Sequence, residues 1–193
     1  SDSRADYLPL TMEFVSQDNL AYCGVASAVM VLNALNVPAP AVAEFHKRHR
    51  FFTQKNVFDN PQARKIISPE TVTARGMTLK QLTRFVRSHG VPAEAYYSSY
   101  TGLDEFRKKL VENLEQDYNF VLVNYSREAI GQGKSGHISP IAAYDEESDR
   151  FLILDVSRYQ YPPVWVTAEQ LWQATNTLDR ASGKTRGFVW VGR

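Results

Sequence analysis

Tyr22-Cys23-Gly24-Val25-Ala26-Ser27-Ala28-Val29-Met30-Val31-Leu32-Asn33-Ala34-Leu35-Asn36 is the stretch that decides the architecture of this chain. Val25, Val29 and Leu32 recur at helical spacing, and Ala28, Val31 and Leu35 form a second stripe. Two apolar stripes leave no polar face, so these residues predict a central, buried helix that Pro38 and Pro40 bring to an end.

Cys23 stands at the first turn of that helix. A helix N-terminus carries partial positive charge and unpaired backbone N–H groups. Both stabilise a thiolate and sharpen it as a nucleophile, and the same N–H groups can cradle an oxyanion forming beside the sulfur. Gly24 follows at once and is expected to let a substrate approach the backbone. Cys23 is the only cysteine, so no internal disulfide and no cysteine cluster for a metal can form. A lone cysteine is commonly a small buried hydrophobe, but such a residue belongs inside the helix, where Ala28 or Val31 lies. Gln17, shortly upstream, is placed to supply a second oxyanion donor. A solvated loop glutamine is the equal alternative.

Outward from this helix, start signals mark three more. Ser68-Pro69 gives a cap and a first-turn proline, with Gly76 as the stop. Thr78-Leu79-Lys80-Gln81 and Thr167-Ala168-Glu169-Gln170 are capping boxes, the first leading to a stop at Gly90. Leu103, Phe106, Leu110 and Leu114 predict an amphipathic helix. Strands are expected at residues 119–125, 138–144, 150–156 and 187–191, and residues 131–136 read as a Gly-rich loop. The expectation is an α+β fold, one domain over residues 1–193, with a mainly helical lobe at about 1–116 and a mainly β lobe at about 117–193, meeting at a cleft.

Composition excludes some functions. Over 193 residues the 22 basic and 21 acidic side chains leave a net charge of +1, which argues against nucleic acid or an anionic membrane as partner. No apolar run approaches the ~20 residues that cross a bilayer, so a soluble protein is expected. The chain begins at Ser1, which predicts that something was removed before it, either a signal peptide or a segment of no structural meaning. The compartment is accordingly cytoplasmic, or periplasmic after signal removal. A homodimer is allowed by the sequence.

Of the four histidines, His89 reads as a helix C-terminal cap and His46 with His49 as a surface pair with no third metal ligand nearby. No metal site is expected. His137 follows the Gly-rich loop and opens a strand, where a polar side chain can face a cleft. If residues 138–144 and 150–156 pair as a hairpin about Glu147, Ser139 lies opposite Asp155 and His137 opposite Ser157. His137 and Asp155 are then diagonal neighbours on one face, roughly 7–8 Å apart at the backbone. A one-residue slip would put them on opposite faces. Asp155 also interrupts the apolar run Leu152-Ile153-Leu154 and Val156, so it needs a partner, for which an imidazole N–H serves. Cys23 as nucleophile, His137 as its base and later the acid for the leaving amine, and Asp155 as the group that orients the ring make a complete acyl-transfer set.

Gln17-Asp18-Asn19-Leu20-Ala21-Tyr22-Cys23-Gly24-Val25-Ala26-Ser27 resembles the nucleophile segment of phytochelatin synthases. Gly136-His137-Ile138-Ser139-Pro140-Ile141 resembles their histidine segment, and Leu152-Ile153-Leu154-Asp155-Val156-Ser157-Arg158-Tyr159 their aspartate segment. Arg186-Gly187-Phe188 is similar to their last catalytic-domain strand. The likeness runs from about Pro9 to Val191. It implies a papain-like fold and γ-glutamylcysteine dipeptidyl transfer. Glutathione would lose its glycine, leaving γ-glutamylcysteine as a thioester on Cys23, which passes to water or to a second glutathione to give phytochelatin. By the same resemblance Gln17 is the oxyanion donor and Cys23, His137 and Asp155 the triad. No tightly bound cofactor is implied. A soft metal ion such as cadmium or zinc would enter as a glutathione thiolate complex. Asn124, Gly136, Asp179 and Arg186 are candidates for reading the γ-glutamyl group, from placement near strand ends and from charge; a structural hydrogen bond is the alternative for each.

The sequence departs from the family in two respects. Plant members carry a Cys-rich C-terminal domain not found in these residues, so the chain is expected to be the short prokaryotic form, in which water competes well as acceptor. Asp18-Asn19 replaces the Glu-Pro of plant members. Two other functions fit parts of the pattern: a papain-like peptidase of the bacteriocin-leader type, which shares the Gln-to-Cys spacing, and a non-catalytic thiol- or metal-binding module, which would need no general base.

Overall fold

A computed structural model gives the fold, and it describes residues 3–192. The helices are α1 (Tyr7–Met12), α2 (Cys23–Ala34), α3 (Pro61–Ile66), α4 (Pro69–Arg75), α5 (Leu79–Arg87), α6 (Leu103–Leu114) and α7 (Ala168–Thr175). The strands are β1 (Ala93–Tyr97), β2 (Asn119–Ser126), β3 (Gly136–Asp145), β4 (Arg150–Ile153), β5 (Val164–Thr167), β6 (Leu178–Asp179), β7 (Lys184–Thr185) and β8 (Gly187–Gly192). The fold is mixed α and β, as expected.

The local signals act where the sequence places them. Ser68 caps α4 by accepting from Thr71 N–H, and both capping boxes close, Thr78 with Gln81 and Thr167 with Gln170. α2 is buried from Gly24 to Leu32. It stops two residues before the expected end because Asn36 turns left-handed at φ 52° and Val37 N–H reaches back to Leu32 C=O, a Schellman closure ahead of the prolines.

Six strands form one antiparallel sheet in the order β1-β8-β2-β3-β4-β5, and β6 pairs with β7 as a small separate hairpin. Alternate residues of the central strands face opposite ways. Phe120, Leu122, Ile138, Ala142, Val189 and Val191 pack with α2 and α5 in one core. Val121, Val123, Tyr125, Ile141, Ile153 and Phe188 pack with α6 and α7 in the other. A sheet covered on both faces needs apolar residues at every position, which is why residues 120–123 run apolar without alternation.

Several elements escape the sequence signals. β1 lies within the helix-rich first part of the chain yet pairs with β8, Ala95 against Val189. Its Ala-Glu-Ala core carries little strand propensity and depends on the edge it joins. α1 and α3 have six residues each, too short for a periodic pattern to register.

The β3–β4 hairpin contains the feature that positions the site. Near the turn Tyr144 pairs with Phe151 and Ala143 with Leu152, but beyond Ala142 the pairing becomes Ile141 with Ile153. Ala142 is thus the extra residue of a β-bulge. The shifted register continues past the end of β4, where Leu154 N–H donates to Pro140 C=O. Continued once more, it sets Ser139 opposite Asp155. The register near the turn would instead align Asp155 with Pro140, on the face opposite His137.

Candidate active site

The site assembles where the start of α2 meets the start of β3. Cys23 is the first residue of α2 and is half-buried. The His137 ring and the backbone N–H groups of Gly24 and Ile138 are the groups that act on its thiol. Burial pushes the Cys23 thiol up, but the His137 hydrogen bond and charge, with the two N–H groups, outweigh it and bring the thiol below its ordinary range. Burial lowers His137 in turn, yet its hydrogen bonds to Asp155 and Cys23 leave the imidazole above its ordinary value. These opposite shifts both favour passing the thiol proton to the imidazole.

His137 Nε2 lies 2.9 Å from Asp155 Oδ1 and 2.9 Å from Ser139 Oγ. A carboxylate only accepts, so Nε2 carries the proton and Nδ1 is left for the thiol. Asp155 is fully buried and accepts from four directions. Besides His137, Arg127 Nη1 donates to Oδ2 at 2.7 Å and Nη2 to Oδ1 at 3.0 Å, while Ser157 N–H donates at 2.8 Å. Tyr125 O–H completes the shell at 3.5 Å. Burial opposes ionisation here, but the His137 and Arg127 hydrogen bonds hold the Asp155 carboxyl well below the usual carboxylate range.

Gln17 is buried beside this set. Its backbone N–H donates to Val156 C=O at 2.9 Å, and its Oε1 accepts from Ser157 Oγ at 3.1 Å. Nε2 donates to Asn19 C=O at 2.8 Å and to Tyr159 Oη at 3.0 Å.

On the other side, Cys23 and His137 open into a cavity of about 250 Å³. The four residues named from the sequence for substrate reading, Asn124, Gly136, Asp179 and Arg186, all line it, and Arg75 adds a further cation. Arg186 Nη1 donates to Leu178 C=O at 2.6 Å, whereas Nε is buried with no partner among the described residues. Burial lowers the Arg186 pKa, and Asp179 nearby opposes that shift. A Cβ at Gly136 would stand 2.6 Å from Arg186 Nη2, so a side chain here would push the guanidinium from its place. Gly24 differs from expectation. It is buried and does not line the cavity; an added Cβ would sit 3.3 Å from Ile138 Cδ1 and from Met77 Sδ, so its smallness serves helix-to-wall packing.

Among the described residues no group of three His, Cys, Asp or Glu side chains is arranged to hold a metal, and no helix is long and apolar enough to cross a membrane.

The phytochelatin synthase family model matches residues 1–188. The chain belongs to the phytochelatin synthase family. A Lotus japonicus protein named glutathione gamma-glutamylcysteinyltransferase 1 is 34% identical over 184 residues, covering 95% of this chain and 35% of that protein. An Arabidopsis thaliana protein of the same name is 32% identical over 187 residues, 97% of this chain and 37% of its own length. A Schizosaccharomyces pombe glutathione gamma-glutamylcysteinyltransferase is 27% identical, covering 95% of this chain and 42% of its own. The chain therefore spans 35% to 42% of the length of these relatives.

This phytochelatin synthase family member also uses residues that the sequence did not single out. Arg127 is 4% exposed, contacts Gln132 Oε1 and lies 4.4 Å over the Tyr161 ring. The need for such a partner was legible, since an acid interrupting an apolar strand needs partners for both oxygens and one imidazole N–H serves only one, but nothing local named Arg127 as the one that meets it. Ser139 and Ser157 entered the sequence reading only as register partners, and Tyr159 carried no signal, because its contact with Gln17 joins segments far apart in the chain.

Proposed function

We propose that this chain cleaves glutathione by cysteine-peptidase chemistry in a papain-like arrangement. Cys23 sulfur attacks the cysteinyl–glycine carbonyl carbon, and the N–H groups at the start of α2, with the Gln17 amide, receive the developing negative charge. His137 gives its proton to the glycine nitrogen, the C–N bond breaks, and a γ-glutamylcysteinyl thioester remains on Cys23. Asp155 keeps the ring in the tautomer this requires. Water or the amine of a second glutathione then resolves the thioester, with His137 accepting the proton. A soft metal ion acts through the glutathione sulfur, since thiolate is its preferred ligand.

One observation carries the proposal. The line of Cys23, His137 and Asp155 opens directly into a cavity that holds both a guanidinium, Arg186, whose Nε–H has no partner among the described residues, and a carboxylate, Asp179. That pair complements the α-carboxylate and α-ammonium of a γ-linked glutamate. The cavity is smaller than the roughly 300–1,000 Å³ usual for drug-sized ligands, which fits a dipeptide group.

Glycine release is to be measured from glutathione, from its α-linked glutamyl isomer and from a Gly-Gly leader-type peptide. Cleavage of glutathione alone is expected, with Arg186→Leu raising KM. Equal cleavage of the α-linked isomer, or preference for the leader peptide, would overturn the substrate assignment.

A further inference from the structure

We infer that the Tyr159 hydroxyl is a place-holder that occupies the oxyanion-donating proton of Gln17 in the free protein and must leave when a carbonyl enters. The inference rests on the proposed acyl-transfer reading, and it concerns a residue which that reading does not use.

A glutamine amide has two N–H donors and one acceptor oxygen. In Gln17 all are engaged. Oε1 is held by Ser157 Oγ at 3.1 Å, one N–H is taken by Asn19 C=O at 2.8 Å, and the other by Tyr159 Oη at 3.0 Å. An amide so satisfied has no proton left for an oxyanion. One bond must open, and the two differ in how readily they do so. Asn19 C=O is fixed in the loop that enters α2; it also accepts from Tyr22 N–H at 3.2 Å, and the Asn19 side chain holds Ala21 N–H at 3.0 Å. Tyr159 is 58% exposed, on a turn closed by Ser157 C=O accepting from Gln160 and Tyr161 N–H. Its hydroxyl can exchange Gln17 for water by a side-chain rotation. The Ser157 and Asn19 contacts meanwhile keep the amide plane aimed. With Gln17 as oxyanion donor, as that reading has it, Tyr159 Oη occupies the acceptor position that the carbonyl oxygen would take, and it keeps the Gln17 proton satisfied until then. Tyr159 is a positioning residue acting through Gln17.

The cost of displacing one neutral hydrogen bond is a few-fold in rate, and it applies only to reactions that build an oxyanion. Acylation by p-nitrophenyl acetate is such a reaction. The sulfur bonds to the acetyl carbon, the carbonyl electron pair moves to oxygen and returns, and p-nitrophenolate leaves. Alkylation by iodoacetamide displaces iodide from carbon without any oxyanion. Both probes report on Cys23 without needing glutathione, so a failure of the glutathione assignment is seen separately in glycine release. The full chain is to be compared with Tyr159→Phe, Gln17→Ala and the double variant. Tyr159→Phe is expected to raise the acylation rate about three- to tenfold and to leave the alkylation rate unchanged. In the Gln17→Ala background the same change is expected to do nothing to either. An acylation rate equal to or below that of the unaltered chain, or an equal gain without Gln17, would overturn the inference. A fall would mean that the hydroxyl itself donates to the oxyanion.

Discussion

At the scale of single residues, the site is a row of four charges in which each offsets the next: Arg127, Asp155, His137 and Cys23. Arg127 is the member whose loss is the more informative, because it touches neither sulfur nor cavity. Removing one partner of a buried ion pair leaves the other uncompensated, at about 3–5 kcal/mol. Arg127→Met is expected to destabilise the fold by about that amount in urea titration, reduced to the extent that Asp155 retains His137. A loss below ~1 kcal/mol would mean that Asp155 does not depend on Arg127. The same row sets a pH profile. The thiolate forms as pH rises through the lowered Cys23 pKa, and the imidazolium is lost as pH rises through the raised His137 pKa. Iodoacetamide alkylation of Cys23 should therefore remain fast well below the ordinary thiol pKa of about 8.5. A rate that rises only near that value would remove the thiolate–imidazolium pair. The stability terms have opposite signs. His137, raised on folding, stabilises below its unfolded pKa and loses that contribution as pH climbs through its folded one. Asp155, depressed on folding, stabilises above its unfolded pKa and loses that contribution as the medium turns acid.

At the scale of elements, the β3–β4 hairpin decides whether His137 and Asp155 meet. The bulge at Ala142 falls beyond the β2–β3 ladder, which ends at Val121 and Ile141. Deleting Ala142 should therefore leave the β2 pairing intact and straighten the hairpin, with Ile141 still opposite Ile153 and Ser139 still opposite Asp155. A residue inserted between Leu154 and Asp155 should instead carry Asp155 to the face away from His137. The insertion variant is expected to melt cooperatively and to release no glycine from glutathione, whereas the deletion variant keeps its glycine release. Activity in the insertion variant, or none in a folded deletion variant, would show that this register does not bring the two residues together. The hairpin also shows how far the sequence could be read. A pairing of Ser139 with Asp155 follows from a symmetric turn about Glu147, and it matches the structure at the site end. The turn itself is one residue out of that register, and the bulge restores it. No residue type announces this bulge, since Ala142 is an ordinary core residue. The caps of α4, α5 and α7 were legible because a cap is made within four residues. β1 and the Arg127 clamp were not, because each needs a partner tens of residues away.

At the scale of the whole molecule, two cores on one sheet hold the start of α2 against the start of β3, and both cores contribute to the site. One buried group works against that stability. Asp6 is 1% exposed, with one carboxylate oxygen lacking a partner among the described residues; burial, with Asp117 nearby, pushes its pKa up to about 9. The folded state must hold a proton that the unfolded chain releases above about pH 4, so the cost is absent in acid and grows toward pH 9. Asp6→Asn should therefore stabilise by on the order of 1–3 kcal/mol at pH 8 and by much less at pH 5, as read from urea melts. An equal gain at both values would mean that Asp6 does not titrate on unfolding.

The central claim is a thioester on Cys23, and intact-protein mass spectrometry after brief exposure to glutathione tests it most directly. The protein should gain the mass of one γ-glutamylcysteinyl group, the adduct should resist mild acid and be removed by hydroxylamine, and Cys23→Ser should show none. A gain of a whole glutathione that dithiothreitol removes, or steady glycine release from Cys23→Ser, would contradict the account.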